Sequence, residues 1–138
     1  MRIGEVLKLK PNDLLDRKLT LREPKSGRER EVVFIPQKVA ERLREYAAKR
    51  CKTGEDRIFP ISYETGRIIV AKADKMVGVP LRPNDLRRYA ATYASRSGVP
   101  IEIVSKVILR HSNLSTPQRY LGKITDTEAM KWIENLYG

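Results

Sequence analysis

Arg2, Lys25, Arg87, His111 and Tyr120 carry the side chains best suited to phosphate chemistry in this 138-residue chain. His111 is the only histidine, and Tyr120 follows it, flanked by Arg119 and Leu121. Arginine offers a planar fork of donors that matches phosphate oxygens. Arg87, with Arg88 beside it, falls near the first turn of a predicted helix, where backbone donors and the helix dipole favour an anion. Arg2 has Glu5 three residues on, a spacing for a same-face ion pair that orients the guanidinium. Lys25 falls at a predicted hairpin tip, from which an ammonium can donate a proton or neutralise a phosphate. A tyrosine phenol, ordinarily of pKa about 10, can attack phosphorus when arginines hold the phosphate beside it; the covalent link splits one displacement into two. Singly, each residue has an ordinary reading: a solvated arginine pair, a weak helix ion pair, a solubilising lysine, a packed tyrosine. Their order on one short basic chain shifts the balance toward phosphate.

The elements that must position them follow from periodicity. Ile3, Val6 and Leu7 fit one face of a first helix, which Pro11-Asn12-Asp13 ends. Leu19 and Leu21 alternate with polar residues as a half-buried strand. Glu31–Ile35 is a second strand, pairing with the first as a hairpin, and Arg57–Phe59 is a third short strand. Helices are predicted from Pro36 to about Lys52, over Tyr63–Val77, from Arg82-Pro83-Asn84-Asp85 to Gly98, and from Pro100 onward. Asn84 or Asp85 is expected to cap the third of these, with Leu86, Ala90, Tyr93 and Ala94 on its buried face. Ile101, Val104, Val107 and Ile108 are expected inside. Thr125-Asp126-Thr127-Glu128 opens the last helix as a capping box, with Ala129, Trp132, Ile133 and Leu136 on one face. The fold class is therefore mainly α with a small antiparallel β-sheet (α+β), and residues 1–138 read as a single domain. The first helix begins without an N-cap, as in a segment cut from a longer chain.

The bulk properties agree with a polyanionic partner. The formal net charge is +11, the sequence pI about 10.0, and hydrophobic residues make up 41%, enough for a real core. A basic surface of the kind found in thermophiles is the plainer alternative. The single cysteine, Cys51, excludes an internal disulfide and argues for a reducing compartment, hence the cytoplasm and its nucleoid. One histidine and one cysteine do not make a usual zinc site, and no apolar run spans a bilayer, so neither metal, cofactor nor membrane is expected.

These motifs, taken together, resemble the tyrosine recombinase, or phage integrase, family, with archaeal members nearest in character. Arg2-Ile3-Gly4-Glu5 is similar to the family's first arginine box, and Lys25 to its hairpin lysine. Asp85-Leu86-Arg87-Arg88-Tyr89-Ala90-Ala91-Thr92 resembles the second arginine box, Leu109-Arg110-His111-Ser112 the Leu-Gly-His-Ser box, and Thr116-Pro117-Gln118-Arg119-Tyr120-Leu121 the nucleophile box. The resemblance implies a recombinase catalytic-domain fold and site-specific DNA recombination or integration, including viral genome integration. In it Arg2 and Arg87 clamp the scissile phosphate, with Arg88 and Arg110 as further phosphate contacts. Lys25 protonates the departing 5′-hydroxyl. His111 bonds the phosphate or helps take the proton of Tyr120, and Tyr120 forms a 3′-phosphotyrosyl bond. Double-stranded DNA is the implied partner, with a monomer in solution and a homo-tetramer on DNA in the full-length enzyme.

Two departures from the family pattern bear on activity. Asn84 stands where the second box usually has histidine; asparagine can donate a hydrogen bond to phosphate but cannot carry charge or move a proton, so a slower enzyme is expected. The N-terminal DNA-clamp domain and the helices preceding the first arginine box are missing from the chain, so weak DNA binding with little sequence preference is expected. Three alternatives stand beside the recombinase: a non-catalytic basic DNA-binding remnant of an integrase, a chromosome-dimer resolvase of Xer type, and a helical interaction domain docking through Trp132 and Leu136.

Overall fold

The computed structural model describes residues 1–22, 30–110 and 124–138. In chain order these form α1 (Ile3–Val6), a 3-10 turn (Pro11–Asp13), β1 (Leu14–Leu15), β2 (Lys18–Leu21), β3 (Glu31–Phe34), α2 (Gln37–Arg50), α3 (Tyr63–Val77), α4 (Pro83–Arg96), α5 (Ile101–Ile103) continuing as a π-helical stretch (Val104–Ile108), and α6 (Asp126–Tyr137). The architecture is mainly helical with one small antiparallel sheet, as the periodicity predicts.

The sheet runs β1-β2-β3, with Leu14 opposite Leu19 and Leu19 opposite Val33. Leu19 and Leu21 are buried while Lys18 and Thr20 between them are half-exposed, the alternation of a strand with one face on a core. The third strand is not the Arg57–Phe59 segment. It is Leu14–Leu15, turned back onto β2 through Asp16 at φ 55°, a backbone region that aspartate tolerates better than most residues. Ile58 is fully buried, but its N–H donates to the carbonyl of Leu9 at 2.9 Å rather than to a strand. Its apolar character therefore reports core membership, not sheet membership.

Helix starts share one device. At α1, the 3-10 turn and α4, an acid three residues on reaches back to the N-cap N–H: Glu5 to Arg2 at 2.8 Å, Asp13 to Lys10 at 3.0 Å and Asp85 to Arg82 at 2.9 Å. Arg82, not Asn84 or Asp85, is thus the N-cap of α4, and Pro83 takes the first helical position. At α6 the Thr125 hydroxyl accepts from the N–H of Glu128 at 3.2 Å, the half of the box that orients the helix.

Two cores result. Leu9, Leu19, Leu21, Ile35, Ala40, Ala47 and Ile58 join the sheet to α2. Ala94, Val99, Ile103 and Val104 join α4 and the π-helical stretch, with Trp132 and Leu136 of α6 packed against them. Burying a side chain such as Leu19 or Ile103 contributes about 1.5–3 kcal/mol. Alanines lie at the closest approaches, so the bulkier residues flank them. That is why Leu86 (49% exposed), Tyr93 (42%) and Ile101 (66%), expected inside, are largely in solvent. Helix α6 crosses back to the sheet: Glu134 accepts from Arg17 Nη1 at 3.2 Å and from the N–H of Gln37 at 3.0 Å.

Gly66, an unfavourable residue inside α3 by propensity alone, is buried beneath α1. A Cβ there would lie 2.9 Å from Ile3 Cδ1. The missing side chain lets α1, and with it Arg2, sit close against α3.

Candidate active site

The site is built at the junction of the two cores, around the buried carboxylate of Glu5. Arg2 is the N-cap of α1, and its backbone, extended at φ −82° and ψ 153°, directs its N–H to Glu5. The Arg2 guanidinium stands 3.8 Å from Glu5 Oε1, so the expected ion pair is long, and the arginine side chain remains 36% exposed. Glu5 is engaged more tightly elsewhere: Arg110 Nη2 donates to its Oε2 at 2.5 Å. Burial alone would raise the Glu5 carboxyl, but the Arg2 N–H and the Arg110 guanidinium outweigh it and hold the group below its ordinary value.

Arg87 comes to the same junction from α4. Its Nη2 donates to the backbone carbonyl of Leu109, and its Nε is buried with no hydrogen-bond partner among the described residues. Burial first, then the guanidiniums of Arg2 and Arg110, pull Arg87 below the ordinary arginine value. The three guanidiniums are therefore mutual electrostatic neighbours. Glu5 and Glu31 are the carboxylates that act on Arg87, so three positive groups face two negative ones and one positive charge is left over. Such a junction favours an additional anion.

The remaining sequence candidates fall as follows. Asn84 is exposed on the first turn of α4 and lines, with Arg2, Gly4, Lys8 and Tyr63, a cavity of about 330 Å³. Arg88 is on the solvent side of α4, its side chain 80% exposed and 3.9 Å from Asp85. Arg110 departs from the expectation of a phosphate contact: its side chain is only 5% exposed, and its guanidinium is committed to Glu5 and Glu31. Desolvation makes an unpaired arginine costly there, so carboxylates from two elements converge on it. Lys25, His111 and Tyr120 lie outside the described residues. Glu31 was missed by sequence reasoning, although an acid opening the apolar run Val32–Ile35 is a signal of a paired, inward-facing charge.

Comparison with known proteins decides the affiliation. The phage integrase family matches residues 1–125. The chain belongs to that family. It is similar to tyrosine recombinase XerA of the archaeon Saccharolobus solfataricus, 31% identical over 128 residues that cover 91% of this chain and 43% of that one. It is 34% identical over 146 residues to a tyrosine recombinase of Pseudothermotoga lettingae, covering 99% of this chain and 49% of the relative. Two solved structures share the integrase-family fold: an integrase from mycobacterium phage Brujita (TM-score 0.73, 21% identity, 99% of this chain and 47% of that chain) and a XerA recombinase (TM-score 0.69, 22%, 99% and 53%). This family member thus spans about half the length of the curated relatives it matches.

Proposed function

We propose that this chain carries the catalytic machinery of a tyrosine recombinase, which cuts and rejoins double-stranded DNA at a specific site. The supporting observation is the gathering of the Arg2 and Arg87 guanidiniums at one junction with a surplus of positive charge. In this reading, Arg2 and Arg87 bind the non-bridging oxygens of the scissile phosphate and stabilise the charge of the pentavalent transition state. The phenol oxygen of Tyr120 attacks phosphorus, with His111 bonding the phosphate or helping to take the phenol proton. The bond from phosphorus to the 5′-oxygen breaks, and Lys25 gives that oxygen its proton. The product is a 3′-phosphotyrosyl link and a free 5′-hydroxyl. Because one phosphodiester replaces another, the 5′-hydroxyl of a new strand reverses the steps and rejoins the DNA. The positions flanking the pair, Asn84 and Arg88, add a neutral hydrogen-bond donor and an exposed charge for the DNA backbone.

The name XerA recurs among the relatives, and an integrase is among the fold neighbours, so resolution of chromosome dimers and integration of a viral genome are both placed within this reading. The function as a basic DNA-binding remnant is favoured by one observation, Asn84 in place of an imidazole beside Arg2. Incubation with a duplex nicked opposite the cleavage position separates the two. A denaturation-resistant protein–DNA adduct that disappears in Tyr120→Phe supports the recombinase. Binding without any adduct supports the remnant.

A further inference from the structure

Arg110 is the last described residue before the segment 111–123, and its backbone has φ 55°, a conformation that residues other than glycine seldom adopt. It is held there from both sides. Its guanidinium lies between Glu5 of α1 and Glu31 of β3, whose side chains are each 6% exposed. The carbonyl just before it, on Leu109, is taken by Arg87. The carboxylate it holds, Glu5, also holds the N–H of Arg2. The Leu109–Arg110 pair therefore touches the groups that fix both Arg2 and Arg87. A buried ion triad is a poor source of net stability, because desolvation offsets most of the attraction. Its fork geometry, however, fixes direction well.

We propose that Arg110 is a positioning residue: by bridging Glu5 and Glu31 it keeps Glu5 from capturing the Arg2 guanidinium and sets Arg2 and Arg87 to receive one phosphate. Glu5 Oε1 is buried without a hydrogen-bond partner among the described residues and lies 3.8 Å from Arg2 Nη1. While Arg110 neutralises this carboxylate, Arg2 is left for the phosphate. Without Arg110, an unneutralised Glu5 draws Arg2 into a tight pair and away from it. The geometry stands by itself; the consequence for a reaction rests on the recombinase reading above.

The test compares the purified protein with Arg110→Met, Glu31→Gln and the double variant Arg110→Met/Glu5→Gln on a nicked duplex. Displacing one phosphate ligand by about 1 Å costs on the order of 10²-fold in rate, so Arg110→Met slows adduct formation by roughly that factor. Its DNA affinity and salt slope stay at the wild-type values. The rate of Arg110→Met rises as pH falls and Glu5 takes up a proton, and the double variant recovers much of the wild-type rate. Glu31→Gln, which keeps the shape of the cluster, shows a smaller loss in the same direction. A salt slope lower by about 1, the mark of a lost phosphate contact, would overturn the proposal. So would an unchanged rate with only a lower melting temperature, or no recovery in the double variant. If the wild-type protein forms no adduct, the recombinase reading fails, and the side-chain Nε–H resonances of Arg2 and Arg87 judge the positioning role. Both shift in Arg110→Met if Arg110 positions them, and resonances left in place contradict it.

Discussion

Arg87, on the first turns of α4, donates from its guanidinium to the backbone carbonyl of Leu109, twenty-two residues further along the chain. This single bond ties the second arginine box to the backbone that leads into His111. It also leaves the Arg87 Nε buried without a partner among the described residues, next to two further guanidiniums. An arginine kept for structure alone would be expected to find partners for all its donors; this one has a donor in hand.

Arg87→Ala removes both the tie to Leu109 and a phosphate ligand. Adduct formation on a nicked duplex is expected to fall by roughly 10²–10³-fold, the usual loss for one charge-stabilising donor. Arg87→Lys keeps the charge but not the fork, and is expected to recover only a small part of that loss. Single-turnover kinetics at saturating protein measure both.

Asn84→His restores an imidazole at the wall of the cavity that Arg2 also lines. The expected outcome is a several-fold faster adduct formation below about pH 6.5, where a histidine carries charge, fading as pH rises above it. A pH–rate profile of the variant against the wild type reads this directly. A rate unchanged at every pH would mean that the Asn84 position does not face the phosphate.

Acid stability should centre on Glu5. Its carboxyl is depressed in the fold below the ordinary 4.5, because the Arg2 N–H and Arg110 outweigh the effect of burial. The stabilisation it provides is complete above the unfolded value and is lost as pH falls through the folded one. Denaturant midpoints are therefore expected to hold steady above about pH 5 and to fall below 4.5. Glu5→Gln flattens that fall, at the cost of about 3 kcal/mol at neutral pH, because Arg110 is left with one carboxylate.

Tyr137, at the end of α6, donates its hydroxyl to the carbonyl of Ala90 on α4 at 2.8 Å and packs 6.0 Å from the Tyr93 ring. Tyr137→Phe keeps the ring and loses the bond, and is expected to cost about 1 kcal/mol of stability. Urea denaturation followed by Trp132 fluorescence gives the value, since Trp132 packs on the same core.

The parts of this fold that local chemistry dictates were legible from the residues alone. Leu19 and Leu21 announce a strand by alternation, Thr125 and Glu128 a helix start, and Gly78, at φ 71°, a helix end. The parts decided at a distance were not. Leu14–Leu15 is a strand only because β2 lies beside it, and two residues carry no period to read. Gly66 argues against a helix until Ile3 is seen above it. For the site, the types and order of Arg2, Asn84 and Arg87 pointed to one place, and the structure brings Arg2 to Asn84 in one cavity and to Arg87 electrostatically. The roles of Arg110 and Glu31 were hidden. Their pairing spans 79 residues of chain, and a basic residue beside a histidine reads as a surface charge until its burial is known.

The most direct test of the central claim is covalent capture on DNA. The purified protein is mixed with a duplex nicked opposite the cleavage position and carrying a labelled strand, then denatured and resolved by size. A labelled adduct whose peptide map places the DNA on Tyr120, lost in Tyr120→Phe and strongly reduced in Arg2→Ala and Arg87→Ala, is the predicted result. An adduct on another residue, or one that survives the loss of both arginines, would contradict it.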